Sequence, residues 1–217
     1  MLLRIGELTS DPQGFLYKFM LLVFGLTIAI TVHEFSHAYV AHRRGDDTAG
    51  RMGRISLNPL VHLDPIGTIL LMLAGFGWGK PVPVNASYLR PPVRLSMALV
   101  SLAGAAANMA TAGFLAMLYR LGLEAGSPVL WDLLETVVLV NVVLAIFNLI
   151  PIPPLDGFNA LSAALPERMM RPMAPVVKYM PLVFLGLLAM DAFFPIGVFS
   201  FIGWPVYRIG AALLGIG

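Results

Sequence analysis

Long apolar runs alternate along this chain with short breaks rich in proline, glycine and arginine. Residues 15–42 form the first run, almost wholly hydrophobic as far as Thr31. As a helix it would be roughly 40 Å long, enough to cross a bilayer and protrude. It stops at His42-Arg43-Arg44-Gly45, basic residues followed by a helix-ending glycine. A polar, proline-punctuated loop follows over residues 56–65. Residues 66–78 are apolar but too few to span. Gly67, Gly75, Gly77 and Gly79, with Lys80-Pro81-Val82-Pro83 at the exit, argue against a regular helix there. Arg51 and Arg54 on one side and Arg90 and Arg94 on the other place both flanks on the cytoplasmic face. A re-entrant loop satisfies this, with a β-hairpin as one form it can take.

Residues 95–119 predict a second span, leaving the cytoplasm. Residues 133–150 return and break at Pro151-Ile152-Pro153-Pro154-Leu155-Asp156-Gly157. Residues 179–194 go out and 198–214 come back. The pattern predicts an all-α polytopic membrane protein of about five to six transmembrane helices. A re-entrant loop lies between the first and second spans. One domain covers residues 1–217, with a core over 15–158 and a C-terminal helical hairpin over 176–216.

Composition agrees. The chain has 217 residues, 58% hydrophobic and 12% charged, with a mean hydropathy of +0.82. That charge fraction is about half the soluble norm. A net charge of +2 carries no nucleic-acid signature. Cysteine is absent, which excludes a disulfide framework and thiolate ligands. The first 14 residues lack the features of a signal peptide.

Chemistry enters at His33-Glu34-Phe35-Ser36-His37, inside the first run. Positions i and i+4 share a helix face, so both imidazoles can reach one ion. Glu34 is offset around the helix but within reach of a water beside that ion. This HExxH spacing is that of zinc hydrolases. Ionisable groups at membrane depth are costly and normally mark function. Catalytic zinc takes three protein ligands and keeps one position open. Position 43 is Arg, which excludes a third histidine six residues after His37. Asp156 follows a proline-broken span on the side of the histidines and is the first choice of third ligand. Asp64 is the second and His62 the third. Asp46 and Asp47 read as members of a solvated loop. Residues 75–85 offer the one candidate edge for an extended substrate, with Gly75, Gly77, Trp78, Gly79 and Asn85 as its contact residues.

Plainer uses compete at several positions. Glu34 could pair with Arg43 or Arg44. Asp156 could be a turn residue before Gly157. Asn148 could bond a carbonyl freed near Pro151, and Asn108 could bridge helices. His62, Asp64 and Asn108 suit a gating or second-layer role, with a structural one as the plainer use.

Three motifs in order carry a family resemblance: His33-Glu34-x-x-His37, the small-residue segment Gly104 to Asn108, and Asn148-x-Ile150-Pro151-x-Pro153-x-Leu155-Asp156-Gly157. The chain resembles the site-2 proteases, the intramembrane zinc metalloproteases of peptidase family M50. The resemblance implies one Zn2+ per chain, bound by His33, His37 and Asp156. It implies that Glu34 is the catalytic base and that Asn148 helps stabilise the oxyanion. The stretch from Gly75 to Gly79 resembles the family's re-entrant loop. A minimal form without PDZ or CBS domain is implied. So are single-pass transmembrane proteins as substrates, a bacterial or archaeal cell membrane, and an active site in its cytoplasmic half. A non-proteolytic zinc-binding membrane protein is the alternative. An ion transporter is a more distant one, since repeated broken helices are missing.

Overall fold

The computed structural model describes residues 10–74, 77–122, 127–194, 197 and 200–216. Asp11 opens the first long helix by accepting a hydrogen bond from the Gly14 N–H at 3.0 Å. Pro12 then supplies a backbone angle suited to the first turn. The helix, α1, runs Pro12–Arg43 for 32 residues, about 48 Å. Gly45 follows its cap at φ +107°, where a Cβ would lie 2.9 Å from the Tyr88 carbonyl oxygen. The basic stop with its glycine therefore ends the helix as expected.

Asp64 caps α2 (Pro65–Ala74), its Oδ1 accepting the Gly67 N–H at 2.8 Å. The helix α3 spans Val93–Arg120. The next, α4, spans Pro128–Asn148 and is capped by Ser127, whose hydroxyl accepts the Leu130 N–H. Then come α5 (Asp156–Ala164), α6 (Met180–Phe193) and α7 (Gly203–Leu214). Single helical turns fill some of the connections.

The core is the three-helix contact of α1, α3 and α4, with α5 laid against α3. Small side chains make it close: Ala29, Ala38, Ala41, Ala105, Ala112 and Ala116 are all buried. Helices in an apolar solvent gain by such close approach, because lipid offers no hydrophobic drive to associate. Toward the end of α3, Ala112, Ala116 and Tyr119 meet Val138 and Val142 of α4 and Leu214 of α7.

Among the described residues three helices, α1, α3 and α4, are long and apolar enough to cross a membrane. At 14 and 12 residues, α6 and α7 are each too short to cross alone. The segment Glu167–Val177 joins Met180–Asp191 at a 55° bend, and that pair would make one broken span or a re-entrant loop. Leu214 packs beside Tyr119, and a Cβ on Gly215 would lie 3.3 Å from Arg120 Nε. So α7 ends beside the end of α3, whereas the hairpin expectation had it return to the opposite face.

The β-hairpin form of the re-entrant loop is not adopted. Residues 65–74 are helical, and no strand forms among the described residues. A single antiparallel bridge, Leu63 with Gly79, brings the chain after α2 back to the loop before it. Gly67 allows this, since a Cβ there would stand 2.2 Å from the Trp78 carbonyl oxygen.

Candidate metal centre and its cavity

On α1, His33 and His37 lie one turn apart, with ring centroids 4.6 Å apart and nearly perpendicular. Both are buried. The third group comes from the break after α4. There residues 149–155 leave the helix, and Gly157 lets the chain fold back. A Cβ at Gly157 would sit 2.2 Å from the Leu149 carbonyl oxygen. Asp156 is the first residue of α5, where the positive end of the helix dipole favours a carboxylate. Its Oδ2 stands 2.9 Å from His33 Nε2 and 3.0 Å from His37 Nε2. Asp156 therefore begins a helix and does not simply end an inward-running one.

Hydrogen bonding assigns the protons. His37 Nδ1 is 2.7 Å from the Val100 carbonyl oxygen, which can only accept, so Nδ1 carries the hydrogen. His33 Nδ1 is 2.7 Å from Asn108 Oδ1. The Asn108 amide nitrogen donates to the Ala29 carbonyl at 2.9 Å and to Asn141 Oδ1 at 2.8 Å, which fixes its oxygen toward His33. In the neutral rings both Nε2 atoms then hold lone pairs. Two nitrogen lone pairs and a carboxylate oxygen converge, all within 4.8 Å of one another. Three acceptors facing each other can hold a cation between them. Two imidazoles and one carboxylate are a donor set that suits a catalytic zinc ion.

Room for the His33 ring comes from Gly104 on α3. A Cβ there would lie 2.5 to 2.7 Å from three of the ring atoms. Asn108, one turn further along, both bridges helices and orients the histidine.

The centre opens on a cavity of about 520 Å³ that is mostly apolar. His33, Glu34 and Asn148 lie along it, as do Gly77, Trp78 and Gly79. Phe184, Leu185 and Leu188 of α6 form another wall. The Glu34 Oε2 accepts the Val82 N–H at 3.0 Å, and among the described residues Glu34 forms no salt bridge with Arg43 or Arg44. The Asn148 side chain donates to the Leu144 carbonyl at 2.9 Å, within its own helix.

Other expected positions lie away from the three converging ligands. His62 is fully buried, and its Nε2 stands 2.7 Å from the Ser56 carbonyl oxygen. Asp64 is occupied in capping α2. Neither lines the cavity, though Leu63 does. Asn85 caps a helical turn, accepting from the Ser87 N–H. Gly75 lies outside the described residues.

Asp46 overturns the expectation of a solvated loop, because it is fully buried. Its Oδ2 accepts the Asn85 N–H at 2.6 Å, and its Oδ1 accepts from the Thr48 backbone at 3.0 Å and from the Thr48 hydroxyl. Burial pushes the Asp46 carboxyl up. The Thr48 hydroxyl, the Asn85 and Thr48 amides and the Arg51 charge outweigh that, so its pKa lies below the ordinary 3.8. Arg54, also buried, donates to the Lys80 carbonyl. The Lys80 N–H donates to the His62 carbonyl at 2.7 Å. Residues 79–85 are thus held by bonds to His62, Glu34, Asp46 and Arg54.

Asn141 was not foreseen. Its signal was present: one amide in an otherwise apolar span is costly to bury.

The fold and site define a helical protein with apolar spans and an HExxH motif whose two histidines meet Asp156 in a group that could hold a metal ion. Residues 122–190 match the family model of Peptidase family M50. A Bacillus subtilis protein named "Putative zinc metalloprotease YwhC" is 41% identical over 196 residues, 87% of this chain and 86% of that protein. "Putative zinc metalloprotease Rip2" of Mycolicibacterium smegmatis is 31% identical over 94% of this chain and 82% of its own length. No solved structure matches. The chain belongs to peptidase family M50 and is a metalloprotease.

Proposed function

We propose that this chain hydrolyses peptide bonds within or near the transmembrane segments of membrane proteins, using one zinc ion held by His33, His37 and Asp156. The observation that carries the reading is the convergence of two imidazole lone pairs and a carboxylate oxygen beside Glu34 on an apolar cavity. When bound there, zinc acidifies water and polarises a carbonyl. Glu34 keeps Oε2 on the Val82 N–H, which leaves Oε1 to take the proton from the attacking water. It then passes that proton to the leaving amine nitrogen. The Asn148 amide, after turning from the Leu144 carbonyl, donates to the developing oxyanion.

A helical substrate must unwind before its backbone is exposed. The non-helical run of residues 77–85 beside the cavity supports recognition of an extended segment. Single-pass transmembrane proteins are the substrate class that fits the cavity's apolar lining. The arginine-rich loops support a centre in the cytoplasmic half of the membrane, about 15 Å along α1 from Arg43. The Bacillus and Mycolicibacterium relatives support a bacterial cell membrane. Retention of Glu34 at the cavity favours hydrolysis over metal binding alone.

The test is cleavage of a single-span substrate by the purified chain and by Glu34→Gln, with zinc measured in both. The variant should hold zinc at the wild-type level and lose cleavage by about two to four orders of magnitude. Wild-type cleavage by the variant would refute the assignment of Glu34.

A further inference from the structure

Asn141 lies in the middle of α4, in the run Val137-Val138-Leu139-Val140-Asn141-Val142, and is fully buried. An amide in that setting persists only if its polar atoms are partnered. Its Nδ2 donates to the Val137 carbonyl at 2.8 Å, and its Oδ1 accepts from Asn108 Nδ2 at 2.8 Å. Asn108, also fully buried, sends its second N–H to the Ala29 carbonyl and presents Oδ1 to His33 Nδ1. Neither touches Asp156 or His37 by any of these bonds.

We propose that Asn141 is a positioning residue for His33, acting through Asn108. The two amides form a directional relay. Backbone carbonyls cannot exchange roles, so Val137 fixes the orientation of Asn141. Asn141 and Ala29 together fix the orientation of Asn108. The oxygen of Asn108 then holds the hydrogen of His33 on Nδ1 and keeps the Nε2 lone pair facing Asp156. If Asn108 turned over, its NH2 would face Nδ1, and the ring hydrogen would move to Nε2, the atom that must bind metal. Removing the Asn141 oxygen leaves one Asn108 N–H buried without an acceptor and takes away half of what opposes that turn. This inference rests on the zinc reading above.

The experiment is zinc affinity of the full chain in detergent micelles, measured by competition with a chromophoric chelator. The proteins are wild type, Asn141→Ala, Asn108→Ala and the double variant. Losing a partner in the outer shell of a metal site typically weakens binding about 10- to 100-fold. Asn141→Ala should show about a 10-fold loss, and the cobalt-loaded protein should show an altered visible spectrum. The double variant should bind no more weakly than Asn108→Ala alone, since the effect passes through Asn108. Val142→Ala, an equally buried neighbour outside the relay, should lower the melting temperature without moving zinc affinity. If Asn141→Ala fails to fold, the near-isosteric Asn141→Leu is measured in its place with the same expectation. A folded variant that binds zinc within about twofold of wild type would overturn the relay. So would a loss that persists in full in the Asn108→Ala background. A wild-type protein that binds no zinc overturns the metal reading itself, and the relay with it; an unchanged Asn141 variant beside a zinc-loaded wild type overturns only the relay.

Discussion

Gly104→Ala is the smallest change that should disable the centre. The added Cβ would stand 2.5 to 2.7 Å from Cε1, Nε2 and Nδ1 of His33, where ordinary contact begins at 3.4 Å. Either the ring retreats by about 0.8 Å or α3 backs away from α1 by a similar amount. Metal–ligand distances in a working site hold to about 0.2 Å, so the first response removes His33 from its position. It also strains the 2.7 Å bond to Asn108. The second response opens the α1–α3 contact of the core, an overpacking cost of about 1–3 kcal/mol.

Either way, zinc affinity should fall by about 10- to 100-fold, and cleavage measured at saturating zinc by about 100-fold. Gly113→Ala, nine residues along the same helix with nothing within 4 Å of its Cβ position, is the control. It should bind zinc as wild type does and gain about 1 kcal/mol in helix propensity. Zinc competition, thermal melting and cleavage of a single-span substrate would be run on both. If Gly104→Ala matches wild type in zinc affinity and cleavage, the packing of the His33 ring against α3 does not set the metal site.

Three further outcomes follow from the same geometry. In Gly79→Val, the side chain would meet Ile30 Cγ2 at 2.8 Å and the His62 carbonyl at 3.2 Å; zinc should be retained while KM rises or cleavage slows, and an unchanged rate would remove the substrate edge from the mechanism. Asn148→Ala should keep zinc and lower kcat by about 100-fold or more if its amide holds the oxyanion, and a change in KM alone would refute that role. Asp46→Asn should cost about 1–3 kcal/mol at neutral pH by weakening bonds to Thr48 and Asn85. Because the folded carboxyl titrates below 3.8, its contribution is present above that value and is lost as pH falls through the lower folded pKa. The melting difference between Asp46→Asn and wild type should therefore close only below pH 3.8, and a difference constant from neutral to acid pH would refute the carboxylate role.

The three long helices were legible because uninterrupted apolar runs have few other outcomes at that length. His33, His37 and Asp156 were legible because each breaks a rule of its surroundings: two imidazoles in an apolar helix, and a carboxylate after Pro153-Pro154. Asp46 was not, since its burial depends on the amide of Asn85, 39 residues away, and nothing in the Arg-Arg-Gly-Asp context announces that partner. The direction of α7 was equally hidden. Alternating spans assume that each apolar run crosses completely, and a 12-residue helix does not. The two-ended use of Asn108 was half visible: bridging could be read from an amide in a small-residue helix, but the choice of His33 as partner needed the crossing of α1 with α3.

The residues that depart from good helix-forming chemistry are spread widely along the chain yet gather in space. Gly104 makes room for a ring, Asn108 and Asn141 orient it, and the Pro153-Pro154 break with Gly157 turns Asp156 back toward it. Each is unfavourable in an isolated apolar helix, by propensity or by desolvation. Each is tolerated here because a neighbour completes it: the imidazole fills the space above the glycine, the amides satisfy one another, and the freed backbone lies against the cavity. The costs are therefore coupled. Removing one partner should raise the cost of the others, so these substitutions ought to be non-additive with one another. A metal centre in an apolar chain is built less by its ligands alone than by the set of locally unfavourable residues that only the assembled site can accommodate.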